Sequence, residues 1–238
     1  MNYADYTKES LYAEGVALST KFLDANDIKL PVFMTFEEAR AMMATPGKVP
    51  KQLVYWSRAM GLNRWTNTGL YYDGYAWVNV ANTAAPVQDP WVRFYEEGSE
   101  EFGETRRQMG RQQSWPGWKT DRTAVGVVTH EVGHYVTDKL NQRFTSDERA
   151  ELRRLWQQAV KGKRVSGYEL TLDEAGAETM RLFITNPALL KAALPKRFNF
   201  LTVDLSLDPV PALFRKGWKK TLGNEAYVEA AKKWIGGR

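Results

Sequence analysis

The residues best suited to chemistry are the two histidines of the chain, which lie four positions apart. They belong to the segment His130-Glu131-Val132-Gly133-His134, an H-E-x-x-H motif within a stretch of helical periodicity over about 121–141. Residues i and i+4 lie on one helix face, about 6 Å apart along the axis, so both imidazoles can reach one ion. Because neutral imidazole nitrogen is a good Zn²⁺ ligand, the motif predicts a zinc site. The alternative is a pair of histidines with core or solvent roles on an amphipathic helix.

Glu131 lies one position round the helix from His130. From there its carboxylate can reach a water molecule on the metal without binding the metal itself. Such a glutamate can take a proton from that water and later pass it to a leaving amine. The motif therefore favours peptide-bond hydrolysis with Glu131 as the general base.

Two histidines do not complete a zinc site, which needs a third protein ligand and an open position for water. The chain has no third histidine and no cysteine, so the remaining ligand must be a carboxylate. Asp138 continues the i+4 series, but it lies about 12 Å along the helix from His130, too far for one ion. Glu174 is the best candidate, on a later helix that the periodicity predicts over 172–184.

Small residues surround this acidic candidate and favour a close approach between the two helices. The run 175–177 reads Ala-Gly-Ala and leaves the later helix thin, while Gly133 thins the histidine helix. Two helices that must bring side chains to one ion benefit from small residues where they touch.

Glu178 shares a helix face with Glu174 at i, i+4. It could accept a hydrogen bond from the outer nitrogen of a ligand histidine, with His130 as the predicted partner, and so fix the tautomer. An ordinary alternative stays open. Glu174 also has capping-box spacing from Thr171, and Glu178 could pair with Arg181.

The elements around this motif are predicted from periodicity and from capping and turn residues. The predicted helices span about 3–23, 35–43, 51–60 and 145–161; a Thr35–Glu38 capping box begins the second and a Thr145 cap begins the last. A strand is predicted over 28–34, and its Pro31 favours a sheet edge. A hairpin is predicted over 70–80 around Asp73-Gly74. The segment 83–120 loses periodicity, and is either functional or a surface excursion packed by its tryptophans. The tail alternates short helices with proline breaks.

Composition favours one α+β domain over 1–238. We expect an N-terminal lobe over 1–120, with the hairpin and the long loop, and a part over 121–238 with the active helix, the glutamate helix and a basic tail.

The chain of 238 residues lacks cysteine and any apolar run long enough for a membrane helix, and its first residues lack the pattern of a secretory signal. We expect a cytoplasmic or other intracellular location, with non-classical secretion or particle association left open.

The histidine motif and the acidic motif together resemble those of a known class of enzymes. H-E-x-x-H followed by E-x-x-x-(D/E) on a later helix is similar to the gluzincin metallopeptidases. Ser166-Gly167-Tyr168, followed by Glu174 and Ala177-Glu178, most resembles the lethal-factor-type and related families, with S-x-Y-A before an E-x-x-A-E helix. The resemblance covers about 70–201. It implies a zincin-like α+β fold with a small mixed sheet and a helical C-terminal part, a Zn²⁺ cofactor, Glu131 as the base, and three metal ligands: His130, His134 and Glu174.

The resemblance also implies that Tyr168 donates a phenolic hydrogen bond to the oxyanion of the tetrahedral intermediate. The chain departs from the family pattern here, because Glu169 stands where the families have alanine and the spacing from Tyr168 to Glu174 is one residue short. The alternative is a packing tyrosine near a helix start. In zincins an edge strand pairs with an extended substrate, so either arm of the hairpin over 70–80 could bind a peptide.

These observations predict a zinc-dependent endopeptidase that acts on a protein or peptide substrate. One alternative is a zincin-fold protein used for binding or assembly, for example within a larger particle, which the basic tail and the tryptophan-bearing loop suggest. Another is a DNA-associated protease, suggested by the net charge of +5 and the pI near 9.2. No nucleic-acid motif supports that second alternative, and no membrane partner is expected.

Overall fold

The structure is a computed structural model, and it describes part of the chain. The described residues are 7–44, 69–72, 74–83, 123–160, 168–169, 171–185, 187, 190–191 and 194–209. The helix predicted over 51–60, nearly all of the 83–120 segment and most of the basic tail lie outside these residues. Within the described ranges, no helix combines the length and the apolar character that crossing a bilayer requires.

Helices make up most of the described residues. The α-helices are α1 (Lys8–Ala25), α2 (Phe36–Ala44), α3 (Ala124–Arg143), α4 (Ser146–Val160), α5 (Leu172–Thr185) and α6 (Pro195–Asn199). A 3₁₀ turn follows the sheet at Val80–Asn82, and a π-helical turn extends α6 at Phe200–Asp204. The helices predicted for the histidine and glutamate motifs are both confirmed, with ends within three residues of the expected ones.

Capping boxes fix the start of two helices, as the sequence predicts. At α2 the Thr35 backbone N–H donates to Glu38 Oε2 (2.7 Å), and the Glu38 N–H donates to Thr35 Oγ1 (3.2 Å). At α4 the same reciprocal pair joins Thr145 and Glu148, at 2.8 and 3.3 Å. Each box satisfies two backbone donors that the first turn of a helix leaves without partners.

Three short strands form a mixed sheet: β1 (Val32–Thr35), β2 (Gly69–Tyr72) and β3 (Tyr75–Val78). Their order is β1-β3-β2, with β1 parallel and β2 antiparallel to β3. Strand β1 is shorter than predicted and begins directly after Pro31, which has no N–H to donate to a neighbouring strand. In the described part of the chain β3 is therefore the central strand, and β1 and β2 are the edges.

Helix α3 lies at the centre of the fold, where it packs against α5, α1 and the two strands of the hairpin. Its first ten residues, Ala124–Gly133, are all buried, so apolar residues are not confined to one stripe of this helix. The main core is shared by α1, α3 and α5 and includes Leu11, Phe22, Val132, Val136, Met180, Leu182 and Phe183. The described fold is thus mixed and mostly helical with a small sheet, in agreement with the predicted α+β class.

Candidate metal centre

The histidine motif lies in the middle of α3, on the side that faces α5. His130 and Glu131 are buried, with 7% and 6% of their surface exposed, while His134 is half-buried. The two imidazole rings lie edge to face with centroids 4.8 Å apart. The i, i+4 spacing therefore brings both rings to one place, as helix geometry requires.

Gly133 allows α5 to approach this face of α3 closely. A Cβ atom at position 133 would lie 2.5 Å from the carbonyl oxygen of Ala177 and 2.8 Å from its Cα. Real Cβ atoms do not come so close to backbone, so any larger residue would push the two helices apart. The small residues that the sequence places at this crossing are therefore what lets the acidic face of α5 reach the histidines.

Glu174, on the first turn of α5, meets both histidines. Its Oε2 atom lies 3.0 Å from His130 Nε2 and 3.6 Å from His134 Nε2. One ligand atom from each of the three side chains lies within 4.8 Å of the other two. A tetrahedral zinc ion with ligands at about 2.0–2.2 Å holds neighbouring ligand atoms about 3.3 Å apart, so these separations suit one ion.

Glu178, one turn further along α5, contacts His130 from the opposite side of the ring. Its Oε1 lies 2.8 Å from His130 Nδ1, and Arg181 donates to both carboxylate oxygens at 2.8 and 2.9 Å. Both side chains are fully buried. Burial alone would raise the pKa of Glu178, but Arg181 and His130 hold it well below its usual range. The two partners that the sequence offered as alternatives for Glu178 thus occur together.

The Glu178 contact determines what His130 presents to Glu174. A carboxylate at Nδ1 favours the proton on that nitrogen, so the Nε2 lone pair points toward Glu174. Glu174 Oε2 is buried and has no hydrogen-bond partner among the described residues, although it lies 3.0 Å from His130 Nε2. Two acceptor atoms 3.0 Å apart repel unless a cation or a proton lies between them. The donor set therefore fits a divalent metal ion.

Titration of the same groups reflects this need for positive charge. Burial acts to lower the pKa of His130, but the carboxylates of Glu174 and Glu178 outweigh it and raise that pKa to about 10. Burial raises and the two histidines lower the pKa of Glu174, with a result of about 2. The raised pKa of His130 and the lowered pKa of Glu174 both reflect the attraction between the imidazole and the carboxylates.

Glu131 faces the sheet and lies beside strand β2. A Cβ atom at Gly69 would overlap its Oε1, and the Tyr71 backbone N–H hydrogen-bonds to its carboxylate. Burial raises the pKa of Glu131, although the neighbouring histidines and the Tyr71 N–H act in the opposite direction. A carboxylate with a raised pKa is a better acceptor and donor of protons near neutral pH.

Tyr168 lies against the same site, with its ring edge to face on His130 and 5.5 Å between the ring centroids. The side chain is 47% exposed, so it borders the solvent side of the cluster. The next residue, Glu169, is completely buried and accepts two hydrogen bonds from Arg197 at 2.9 and 3.2 Å. Arg197 also donates to Thr179 on α5. The carboxylate of Glu169, at the position where the resemblance predicts alanine, thus ties the Tyr168 segment to α5 and α6.

Two contacts of the site could not be read from the sequence. The Tyr71 ring stacks on His134, with centroids 6.5 Å apart and planes inclined by 11°. Its hydroxyl donates to Asp138 Oδ2 at 3.1 Å. Asp138, which helix geometry removes from the ligand set, is therefore engaged by the hairpin. The sequence signal that bears on these contacts is the i+4 spacing of His134 and Asp138, which places both side chains on one face of α3, where a single residue can contact both.

No family model matches the chain, and comparison with curated proteins and with solved structures likewise gives no significant match. The function is therefore argued from the chemistry of the site.

Proposed function

We propose that this chain is a zinc-dependent endopeptidase of zincin-like fold, in which His130, His134 and Glu174 hold the metal. The observation that carries the proposal is the meeting of ligand atoms from two helices within 4.8 Å of one another. Two imidazoles and one carboxylate form a donor set used by catalytic zinc sites that keep a position open for water. When bound, the metal supplies a Lewis acid that polarises a peptide carbonyl and acidifies a water molecule.

Glu131 is the general base of this proposal. It takes the proton of the attacking water and delivers it to the nitrogen of the departing amine, so one carboxylate acts twice. Its burial and raised pKa suit both transfers. The contacts from Gly69 and Tyr71 limit rotation of the carboxylate.

Tyr168 is the proposed donor to the oxygen that becomes negative as the carbonyl is attacked. Donors fixed in advance around that oxygen stabilise the transition state more than the substrate. The position of the Tyr168 ring beside His130 supports this role, and the buried Glu169–Arg197 pair holds the adjoining backbone.

Strand β2 is the proposed docking edge for an extended peptide. The hairpin has two arms, but β3 is paired on both sides by described strands, so β2 is the arm with an edge to offer. Gly69 of β2 contacts Glu131 directly, which would bring the backbone of a bound peptide next to the base. Main-chain hydrogen bonds to an edge strand give affinity for extended chains of varied sequence.

The test combines metal analysis with hydrolysis of fluorescein-labelled casein. We expect one zinc per chain, and a Glu131→Gln variant that keeps its zinc but cleaves about 10²–10⁴-fold more slowly, as for loss of a general base. Glu174→Ala should lose stoichiometric zinc. Glu151→Gln, a change of the same type at an exposed position of α4, is the matched control and should behave as wild type.

Two results would overturn the assignment. A Glu131→Gln variant as fast as wild type would rule out this carboxylate as the base. Full zinc occupancy in Glu174→Ala would move the third ligand to another residue. A chain that loads zinc yet hydrolyses nothing would instead favour a zincin-fold protein used for binding or assembly.

A further inference from the structure

Tyr71 of β2 contacts three chemically important groups of α3. Its ring stacks on the imidazole of His134, its hydroxyl donates to Asp138, and its backbone N–H bonds to Glu131. These contacts come from three different parts of one residue. They span about two turns of α3, because Glu131 and Asp138 are seven residues apart along the helix.

His134 depends on ring contacts for its orientation. His130 is fixed by a carboxylate on Nδ1, the usual arrangement for a metal-binding histidine. Within the described residues, the contacts of His134 are the Glu174 carboxylate, 3.6 Å from its Nε2, and the rings of His130 and Tyr71, with no acceptor at its Nδ1. A flat ring stacked nearly parallel to the imidazole limits rotation about the bond that aims Nε2.

Tyr71 is itself held at both ends. Its strand register sets it opposite Ala76 of β3, and its hydroxyl also accepts a hydrogen bond from the Gly74 backbone N–H in the turn. The absence of a Cβ at Gly69 lets β2 come against Glu131 and Val127 of α3. The hairpin is therefore fixed to α3 at the level of the metal ligands.

We infer that Tyr71 is a positioning residue of the metal centre, which aims the His134 ring with its side chain and the Glu131 carboxylate with its backbone. The inference rests on the proposed function, because it needs a metal ion at His134. It adds that the position of the proposed peptide-binding strand β2 and the geometry of the metal site depend on each other. A substitution of Tyr71 in the hairpin is then expected to change the orientation of His134, although the metal ligands themselves stay the same.

The first experiment measures Co²⁺ binding, since the absorption spectrum of bound Co²⁺ reports on ligand geometry. Tyr71→Val removes the ring but keeps a residue that favours strands. We expect its Co²⁺ affinity to fall roughly 10–100-fold, the usual effect of losing a group that orients a ligand, with a changed visible spectrum. Tyr75→Val is the matched control in the same hairpin, where the ring packs on Trp77, and should keep wild-type affinity and spectrum.

The second experiment needs no metal and exploits the presence of two histidines in the chain. The imidazole C–H resonances of the metal-free protein therefore comprise two pairs. Tyr71→Val should move one pair strongly, and Tyr71→Phe, which keeps the ring, should move it less and lower Co²⁺ affinity only a few-fold. The Phe variant also decides the matter if Tyr71→Val does not fold.

Each outcome separates this inference from the proposed function. Wild-type Co²⁺ affinity and spectrum in Tyr71→Val, or equal losses in Tyr75→Val, would overturn the positioning role while leaving the metal site in place. For Tyr71→Phe the overturning result is a fall in Co²⁺ affinity of about 10-fold or more, because the retained ring would then not be what orients His134. A wild-type chain that binds no Co²⁺ would overturn both proposals, whereas one that binds it but cleaves no casein removes the peptidase and keeps the positioning role.

Discussion

His130 and His134 lie one helical turn apart, yet their surroundings differ in kind. His130 faces α5, where Glu178 contacts its Nδ1 and Arg181 holds Glu178 in a fully buried ion pair. His134 lies beside the hairpin, where the ring of Tyr71 is nearly parallel to the half-buried imidazole. One ligand is thus oriented by charge in a dry environment and the other by packing near solvent.

The two sides of the metal centre therefore differ in function. The α5 side comprises Glu178 and Arg181 next to His130, and the hairpin side comprises β2 next to His134. Electrostatic interactions are strong on the α5 side because neither Glu178 nor Arg181 can be solvated, so that side fixes the ligand set. The hairpin side is open to solvent and carries the edge strand proposed to bind substrate. Each side thus orients one metal ligand, and the hairpin side also offers access for the substrate.

The largest expected effect follows from breaking the α5 side with Glu178→Ala. Removal of the carboxylate leaves the Arg181 guanidinium buried without its counter-charge, which typically costs about 3–5 kcal/mol of folding free energy. His130 also loses the acceptor that fixes its tautomer, so zinc affinity should fall about 10–100-fold or more. Urea unfolding and zinc titration measure the two losses independently.

The control is a pair of the same residue types at the same spacing. Glu151 and Arg154 also lie at i, i+3 on a helix, but both side chains are solvent-exposed. Glu151→Ala should leave the unfolding midpoint and zinc affinity almost unchanged, because exposed pairs are well solvated without each other. Equal destabilisation by the two substitutions would show that burial does not distinguish the two pairs.

A second prediction concerns a substitution that would move helix α5 as a whole away from α3. In Gly133→Ala the added Cβ meets the backbone of Ala177, so the helices must separate and Glu174 must move away from the histidines. We expect a loss of about 1–3 kcal/mol from overpacking, together with weaker zinc binding. Ala177→Gly should not restore either, since the contacted atoms belong to the backbone.

Gly176→Ala tests whether the direction of the contact matters. A Cβ at position 176 would meet side-chain atoms of Thr137 and Trp156 at 3.1–3.3 Å, and side chains can shift by a few tenths of an ångström. This variant should therefore bind zinc as wild type does, with a smaller loss of stability than Gly133→Ala. Equal effects on zinc binding would contradict the role of Gly133 in setting the separation of α3 and α5.

The sequence predicted the α5 side well because its geometry is local. Helix periodicity places residues three and four apart on one face, so the pairing of His130 with His134, and of Glu174 with Glu178, follows from spacing alone. The small residues at the crossing then identified which faces meet. Glu178 was assigned either to His130 or to Arg181, and it contacts both because a carboxylate has two oxygens able to accept several hydrogen bonds.

The hairpin side could not be predicted in the same way. Tyr71 is 63 positions before His134, and their contact depends on the register of β2 and on how the sheet docks against α3. No local pattern specifies either of these. The buried ion pair of Glu169 and Arg197 is equally non-local, and no sequence pattern indicates that a charged residue at 169 is enclosed.

The smallest expected effect lies on the hairpin side, at Asp138. Asp138→Ala removes the acceptor for the Tyr71 hydroxyl but keeps the ring on His134, so zinc affinity should fall only a few-fold. The lost hydrogen bond is solvent-exposed, and we expect a destabilisation of about 0.5–1.5 kcal/mol. In a double-mutant cycle with Tyr71→Phe, the two losses should not add, because each removes the same bond. Additive losses would mean that Asp138 acts on the site by another route than its hydrogen bond with Tyr71.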